Sequence, residues 1–334
     1  MKTVTIAEVA EHAKVSKSTV SQYLNKRYEY MSENTRKRIE ASIEELNYHP
    51  NVIARSLKQK STFTVGVIVA NILHSFSTQI LRTIENNFNG QGFHTIICNA
   101  DDEPEKERNY IEMLLAKQVD GLIIFPTGGN LDLYEQMKKR DFPVVFMDRK
   151  IEGLEIETVM LDNHRAAELA VRKFAESGYS KVSIVTTSII RNTSPRVERI
   201  EGYRKAVEEV NLTADPAYIQ TADAEKIQEV LKDLFALPEP PDAILAGNDI
   251  VLIEVLKFMK EQQLHIPKDV AVIGIDEVPF ASFYSPPLTI VSQPTIEMGN
   301  LAAELLLKQI NGTSEKASPV VHRLQPSLID RDSC

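Results

Sequence analysis

Thr5-Ile-Ala-Glu-Val-Ala10, Val15-Ser-Lys-Ser-Thr-Val-Ser21 and Tyr48-His-Pro-Asn-Val-Ile-Ala-Arg-Ser-Leu57 follow one another within the first sixty residues. Their order decides how the rest of the chain is read. Ile6, Val9 and Ala10 make one apolar face at helical spacing, and Ala13-Lys-Val15 breaks that helix before Ser16 caps another. Two short helices then meet at a tight turn. In the second, Val20 and Leu24 point inward, leaving Lys17, Ser18, Ser21 and Gln22 as a donor-rich surface near its N-terminal end, the kind a recognition helix offers to a major groove.

A helix pair alone is a weak signal, because amphipathic pairs are common. Here a third helix follows, capped by Ser32 with Thr35 and carrying Ile39, Ile43 and Leu46, so three helices share one core. Residues 1–60 hold eleven Lys and Arg against seven Asp and Glu, a charge of +4 in a chain whose total is -9. The basic end is the nucleic-acid end.

The order and spacing of these elements resemble the lactose/galactose repressor (LacI/GalR) family of bacterial transcription regulators, and the resemblance extends over almost the whole chain. Thr5-Ile6, Val9-Ala10, Val15-Ser16, Thr19-Val20-Ser21, Asn25, Asn47-Tyr48-x-Pro50-Asn51 and Ala54-Arg55-x-Leu57 fall where that family places them. One departure is Glu8, where the family more often has Asp. The resemblance implies DNA contacts from Thr5, Lys17, Ser18, Thr19, Ser21, Gln22 and Asn25. It also implies that residues 48–60 form a hinge helix, with Asn51 and Arg55 reaching backbone or groove and Leu57 wedged into the minor groove. An isolated helix of that length is marginal in water, so the hinge is expected to order only against DNA and a twin chain.

At 334 residues, 43% hydrophobic and 25% charged, the chain has room for two or three cores. No segment approaches the ~20 apolar residues of a membrane span, and the polar, basic N-terminus is unlike a signal peptide. A cytoplasmic, nucleoid-associated protein is expected. Cys98 and Cys334 suggest neither a metal cluster nor a disulfide. The seven histidines are scattered and read as structural or solvated.

From Thr64 onward, strands alternate with helices. Val65-Gly-Val-Ile-Val-Ala70 is a continuous apolar run suited to a buried parallel strand, and a helix is expected from Gln79 to Phe88. Further strands are expected at residues 95–98, 121–125, 144–147, 159–161, 182–185, 243–246 and 270–273. Some 270 residues of this pattern exceed one sheet, so two similar α/β lobes are expected. The domains are thus an all-α helix-turn-helix head over 1–47, a hinge over 48–60 and a core over 61–334. The family resemblance makes that core periplasmic-binding-protein-like, closing on a small molecule.

Ligands of such sheets sit beyond the carboxyl ends of the strands. Asn71 and Phe76, Asp148-Arg149, Asn248 and Asp276 lie there, with Arg196 and Arg199 on a helix start in the second lobe. The resemblance implies that Asp148, Arg199, Asn248 and Asp276 meet the effector's hydroxyls or ring while Phe76 packs against it. The chemistry suits a sugar: carboxylates accept from hydroxyls, Arg and Asn donate, and an aromatic face covers the C–H side. Each also has a plain structural reading, as a cap, a turn or core. Asp249 reads as the cap of the following helix, with Asn248 as the contact. Arg149, Arg191, Arg196 and Arg199 are much positive charge for a neutral sugar, and a guanidinium fork suits a carboxylate. An acidic effector is therefore expected, with 2-keto-3-deoxygluconate as the specific candidate and a neutral sugar or other metabolite as the alternative. No other cofactor and no metal are expected.

A helix with Met298, Leu301, Ala302, Leu305, Leu306 and Ile310, a strand-like Val320-Val321 and Leu328-Ile329-x-Arg331-x-Ser333 complete the chain. No leucine heptad follows, so a homodimer on palindromic operator DNA is expected. An enzyme is not expected: Gly90-Gln91-Gly92 closes a helix before a strand, the reverse of a dinucleotide-binding turn, and neither Gly-x-Ser-x-Gly nor a phosphate-binding Gly-rich Lys motif occurs. A solute-binding protein of the same core fold is the rival reading, but it would need a signal peptide.

Overall fold

The computed structural model describes residues 4–29, 31–48, 61–189, 193–313 and 320–334, and the chain divides into two compact units between Thr62 and Phe63. In the first unit, α1 (Ile6–His12), α2 (Lys17–Leu24) and α3 (Glu33–Glu45) each begin on a hydroxyl cap. Thr5, Ser16 and Ser32 accept from the backbone amides of Glu8, Thr19 and Thr35. At Thr5 the Glu8 carboxylate also accepts from the Thr5 amide at 2.7 Å. The Glu8 departure thus closes a capping box, which needs the longer side chain at that position.

The turn between α1 and α2 places Lys14 at φ 52° and is held from α3. Arg38 Nη2 donates to the carbonyls of Ala13 at 2.7 Å and Lys14 at 3.1 Å. Val9, Val20 and Ile39 are fully buried, with Tyr48 in the same core. Residue 48 therefore packs with the head rather than with the expected hinge. The remainder of the expected hinge, 49–60, lies outside the described residues.

In the second unit, one six-stranded sheet is built from β1 (Thr64–Val69), β2 (His94–Asn99), β3 (Gly121–Ile124), β4 (Val144–Met147), β5 (Thr158–Leu161) and, from the end of the chain, β11 (Val321–Leu324). Its order is β11-β5-β4-β3-β1-β2, all parallel. The other contains β6 (Val182–Thr187), β7 (Ile219–Ala222), β8 (Ala243–Ala246), β9 (Ala271–Ile275), β10 (Thr289–Ser292) and β12 (Ser327–Ile329). Its order is β12-β10-β9-β8-β6-β7, with only β12 antiparallel. Each sheet is sandwiched between two apolar clusters. Strand β1 shows why: Val65, Val67 and Val69 face one cluster and Ile68 the other. Gly66 lets the next layer close, since a Cβ there would lie 2.5 Å from Leu122 Cδ2.

The helices that matter most for the site are α4 (Ser75–Gly90), α5 (Pro104–Ala116), α6 (Leu131–Lys139), α7 (Asn163–Glu176), α8 (Ser194–Glu209), α9 (Ile227–Phe235), α10 (Asp249–Glu261) and α11 (Thr295–Ile310). The chain passes between lobes three times, after β5, β10 and β11, so α11 packs on α4 of the first lobe. Two strands escaped the sequence reading. β7 carries the polar Gln220 and Thr221 at a sheet edge, and the short β10 follows Pro286-Pro287 closely. Helix α4 also starts four residues before the expected Gln79, because Ser75-Phe-Ser-Thr78 belongs to its first turn. Among the described residues no helix is long and apolar enough to cross a membrane. Cys98 and Cys334 are free thiols, and burial pushes both up.

Candidate functional site

The head presents α2 as its polar edge. Val20 is fully buried and Leu24 packs on the same core, which turns Lys17, Ser18 and Gln22 to solvent and leaves Thr19 and Ser21 half-buried. Thr19 and Ser18 are also tied to the cap, their hydroxyls lying 2.8 and 2.7 Å from Ser16 Oγ. Asn25 donates to the Ser21 carbonyl at 2.8 Å and ends the helix, and Thr5 is occupied by its capping box. Lys17 and Gln22 are therefore exposed α2 side chains with unengaged polar ends among the described residues, joined by the half-buried Ser21 hydroxyl. Asn51, Arg55 and Leu57 lie outside the described residues.

In the second unit, one cleft between the lobes brings together Asn71, Phe76, Asp148 and Arg149 of the first sheet's loops with Arg196, Arg199, Asn248 and Asp276 of the second. The cleft is open to solvent on one side, with about 490 Å³ of empty space that runs out into bulk water. Asp148 after β4 and Asp276 after β9 occupy matching places in the two lobes, both in the left-handed region at φ 67° and 87°. Each donates its amide to the neighbouring strand, to Val159 O at 2.8 Å and Val291 O at 3.1 Å. Asp enters that region more readily than most non-glycine residues, so both turns can hold their carboxylates at the strand ends. Phe76 sits in the first lobe's core, edge-on to Phe125 at 6.4 Å, and also lines the cleft.

The arginines differ in their engagement. Arg149 is buried, donating from Nη1 to Asp102 at 2.8 Å and to the Pro126 carbonyl at 3.3 Å. Arg199 donates to Asn163 Oδ1 at 2.9 Å and to the Gly247 carbonyl. Arg196 donates only to the Ser188 carbonyl, at 2.6 Å, among the described residues. Burial first, and then the field of Arg149, push the Arg196 guanidinium down to about 10. Asp276 is pushed up by burial and accepts from Gln293. Arg191 lies outside the described residues.

Some assignments change. Asn248, not Asp249, is the cap of α10, accepting from the Val251 amide at 2.9 Å while donating to Thr187 at 3.1 Å. Asp249 instead reaches the other lobe, 2.6 Å from His74 Nδ1 and accepting from the Ser75 amide at 2.6 Å. His74 is thus no incidental histidine. Asn71 turns its oxygen to the Leu73 amide at 3.0 Å, so it serves the loop as much as the cleft. Asp102, Gln293 and His74 were missed. Asp102 lies just beyond the carboxyl end of β2, an expected strand, where the strand-end rule would have found it, whereas Gln293 follows β10, which escaped the sequence reading. No signal in the sequence singles out His74. Among the described residues no group of His, Cys, Asp or Glu is placed to hold a metal ion.

Residues 5–51 match the model for bacterial regulatory proteins of the lacI family, and residues 171–334 match that for a periplasmic binding protein-like domain. The chain is 45% identical over 333 residues, covering 98% of both chains, to a probable HTH-type transcriptional regulator, EndR, of Paenibacillus polymyxa. This chain belongs to the LacI family. As a LacI-family member it is a DNA-binding transcriptional regulator, and its relatives are regulators rather than enzymes. It is 35% identical over 332 residues to the HTH-type transcriptional regulator KdgR of Bacillus subtilis strain 168, covering 98% of this chain and 97% of that one. In fold it is similar to the lac repressor dimer bound to operator and the anti-inducer ONPF, with a TM-score of 0.84 at 24% identity over 99% of each chain. The LacI-family assignment gives the two units their roles, with the head as the DNA reader and the two-lobed unit as its periplasmic-binding-like core.

Proposed function

We propose that this LacI-family regulator is a cytoplasmic repressor of a carbohydrate-utilisation operon. It binds a palindromic operator as a homodimer and takes an acidic sugar in the interlobe cleft. The specific candidate is 2-keto-3-deoxygluconate. The observation that carries the reading is the convergence of Arg149, Arg196 and Arg199 on a cleft that also holds the hydroxyl-binding groups Asp148, Asp276 and Asn248. A polyol alone needs acceptors and a few neutral donors, whereas three guanidiniums suit a ligand with a negative end.

In this reading Lys17 and Gln22 read base edges. On operator DNA, Asn51 and Arg55 of the hinge stand at the backbone or groove and Leu57 is the minor-groove wedge. Effector binding changes lobe closure and so biases the DNA-competent state, because the ligand contacts both lobes and binds them best in one arrangement. Large apolar side chains stand in solvent at Leu73, just before α4, and at Ile296, in the first turn of its neighbour α11. A second copy of the chain is the occupant that fits such paired exposure in this family of folds.

Titration calorimetry against sugar acids, neutral sugars and purines tests the effector class. Gel shift with promoter fragments, with and without the bound compound, tests the coupling. Binding to neutral sugars only would sink the acidic reading.

A further inference from the structure

We propose that Arg196 and Arg149 together seat a single carboxylate of the effector beside the start of α8, with the hydroxyl-bearing end of the same molecule turned toward Asp276, Asn248 and Gln293. This rests on the acidic-effector reading and goes further by naming the residues that discriminate acid from neutral sugar.

The three arginines of the cleft do not have equal freedom. Arg199 is committed through Nε to Asn163 and through Nη1 to the Gly247 carbonyl, so it braces the second lobe. Arg149 is 7% exposed. Its Nη1 serves Asp102 and Pro126, but its Nε has no hydrogen-bond partner, since Asp148 at 3.6 Å is too far. Arg196 uses one of its five donors, on Ser188. A buried Nε–H left without an acceptor and a neighbouring guanidinium with most of its fork open leave the same deficit. The pair lacks an acceptor with two oxygens.

The backbone adds to this preference. Thr193 and Pro195 line the cleft at the start of the 16-residue α8, and Thr193 makes no side-chain cap bond there. The positive end of that helix therefore faces the space beside Arg196. The opposite signs nearby limit the charge of the ligand. Asp102 and Asp148 already accompany Arg149, so a monoanion is favoured and a dianionic phosphate would meet two carboxylates. Away from the arginines the lining changes character. Gln293 Oε1 is buried without a partner and asks for a donor, as a hydroxyl supplies. Asp276 and Asn248 stand beside it in the cleft. The site is thus polarised, with donors at one end and hydroxyl partners at the other.

The test uses the full-length protein, titrated calorimetrically with 2-keto-3-deoxygluconate, D-gluconate, D-galacturonate and their neutral counterparts D-glucitol and D-galactose. Wild type is expected to prefer an acid, with affinity falling as salt rises. Arg196→Gln is expected to bind that acid roughly ten- to hundredfold more weakly, while the neutral compounds are unchanged and operator binding without ligand is retained. Arg196→Lys, which keeps the charge but not the fork, should fall between. If an acid binds wild type and Arg196→Gln leaves its affinity unchanged, or weakens acid and neutral ligands equally, the seat is overturned while the acidic reading stands. If wild type binds no acid at all, the reading beneath it falls as well.

Discussion

The imidazole of His74 and the carboxylate of Asp249 meet across the cleft, with Nδ1 2.6 Å from Oδ1. His74 immediately precedes α4 in the first lobe and Asp249 opens α10 in the second. The other oxygen of Asp249 accepts from the Ser75 amide at 2.6 Å, so one carboxylate also caps the opposite lobe's helix, where an anion is favoured. Burial works against a charged His74, but the hydrogen bond and field of Asp249, with Asp276 and Asp102 behind, outweigh it and hold the imidazole above its ordinary value. Burial likewise opposes the charged Asp249, and His74 with the Ser75 and Ile250 amides brings it below the ordinary range.

The stability from His74 is complete below its ordinary value of 6.5 and is lost as pH rises through the higher folded value. That from Asp249 is complete above 3.8 and is lost as pH falls through the lower folded value. His74→Gln is therefore expected to lower the thermal midpoint most between pH values of about 4 and 6.5, the gap shrinking at higher pH. Asp249→Asn should cost about 1–3 kcal/mol. Scanning calorimetry across pH measures both, and a gap of constant size from acid to alkaline pH would refute the ionised pair.

On the head, Lys17→Ala with Gln22→Ala should change which operator is preferred, because both are exposed on α2 with free polar ends. Arg27→Ala should weaken all sequences alike and flatten the salt dependence. Lys37 is held 3.3 Å from Glu33 on its own helix, so its loss should be felt less than that of Arg27. Selection of bound sequences from a random pool reads the outcome. An unaltered consensus with the double variant would falsify this assignment of the reading face.

Glu198 on α8 binds Arg323 of β11 through both oxygens, at 2.9 and 2.7 Å, and so ties the second lobe to the first lobe's last strand. Burial raises the cost of its charge, but Arg323, Asn163 and Lys150 hold the carboxyl below its ordinary value. Glu198→Gln should destabilise the second unit by about 1–2 kcal/mol at neutral pH, since it weakens the hydrogen bonds made by a buried carboxylate while the exposed Arg323 guanidinium left behind stays solvated. The sign follows from the lowered folded value: the wild-type advantage is present above pH 4.5 and fades as pH falls below it. Urea titrations at neutral and acid pH measure this, and an equal loss at both would refute the electrostatic account.

Arg38 holds the two carbonyls that shape the α1–α2 turn. Arg38→Leu should cost the head about 1–3 kcal/mol and weaken DNA binding by loosening α2, while leaving effector affinity unchanged. Gel shift and effector calorimetry on the same variant separate the two effects. Weakened effector binding would show that the change had spread beyond the head.

Much of this was legible along the chain. The three head helices could be read from apolar spacing and hydroxyl caps, because both are local and act within a turn or two. The strand-end rule likewise found Asp148, Asn248 and Asp276, because a continuous apolar run marks a buried parallel strand and its end marks the site. Strands β7 and β10 were not legible, since an edge strand with Gln220 and Thr221 and a four-residue strand behind two prolines lack that pattern. With β10 unseen, Gln293 went unseen too.

By itself the sequence determined the class of each unit, the boundary between a basic head and an acidic core, and the residues brought to the cleft, because burial periodicity, capping and charge are properties of short segments. Only the tertiary structure decided what those residues do to one another. It moved Tyr48 into the head's core, gave the α10 cap to Asn248 and sent Asp249 across to His74, 175 positions away in sequence. It committed Arg199 to Asn163 and Gly247 while leaving Arg196 open. These pairings join groups from different strand ends and different lobes, and their energies depend on distances and burial that arise only when the chain closes on itself.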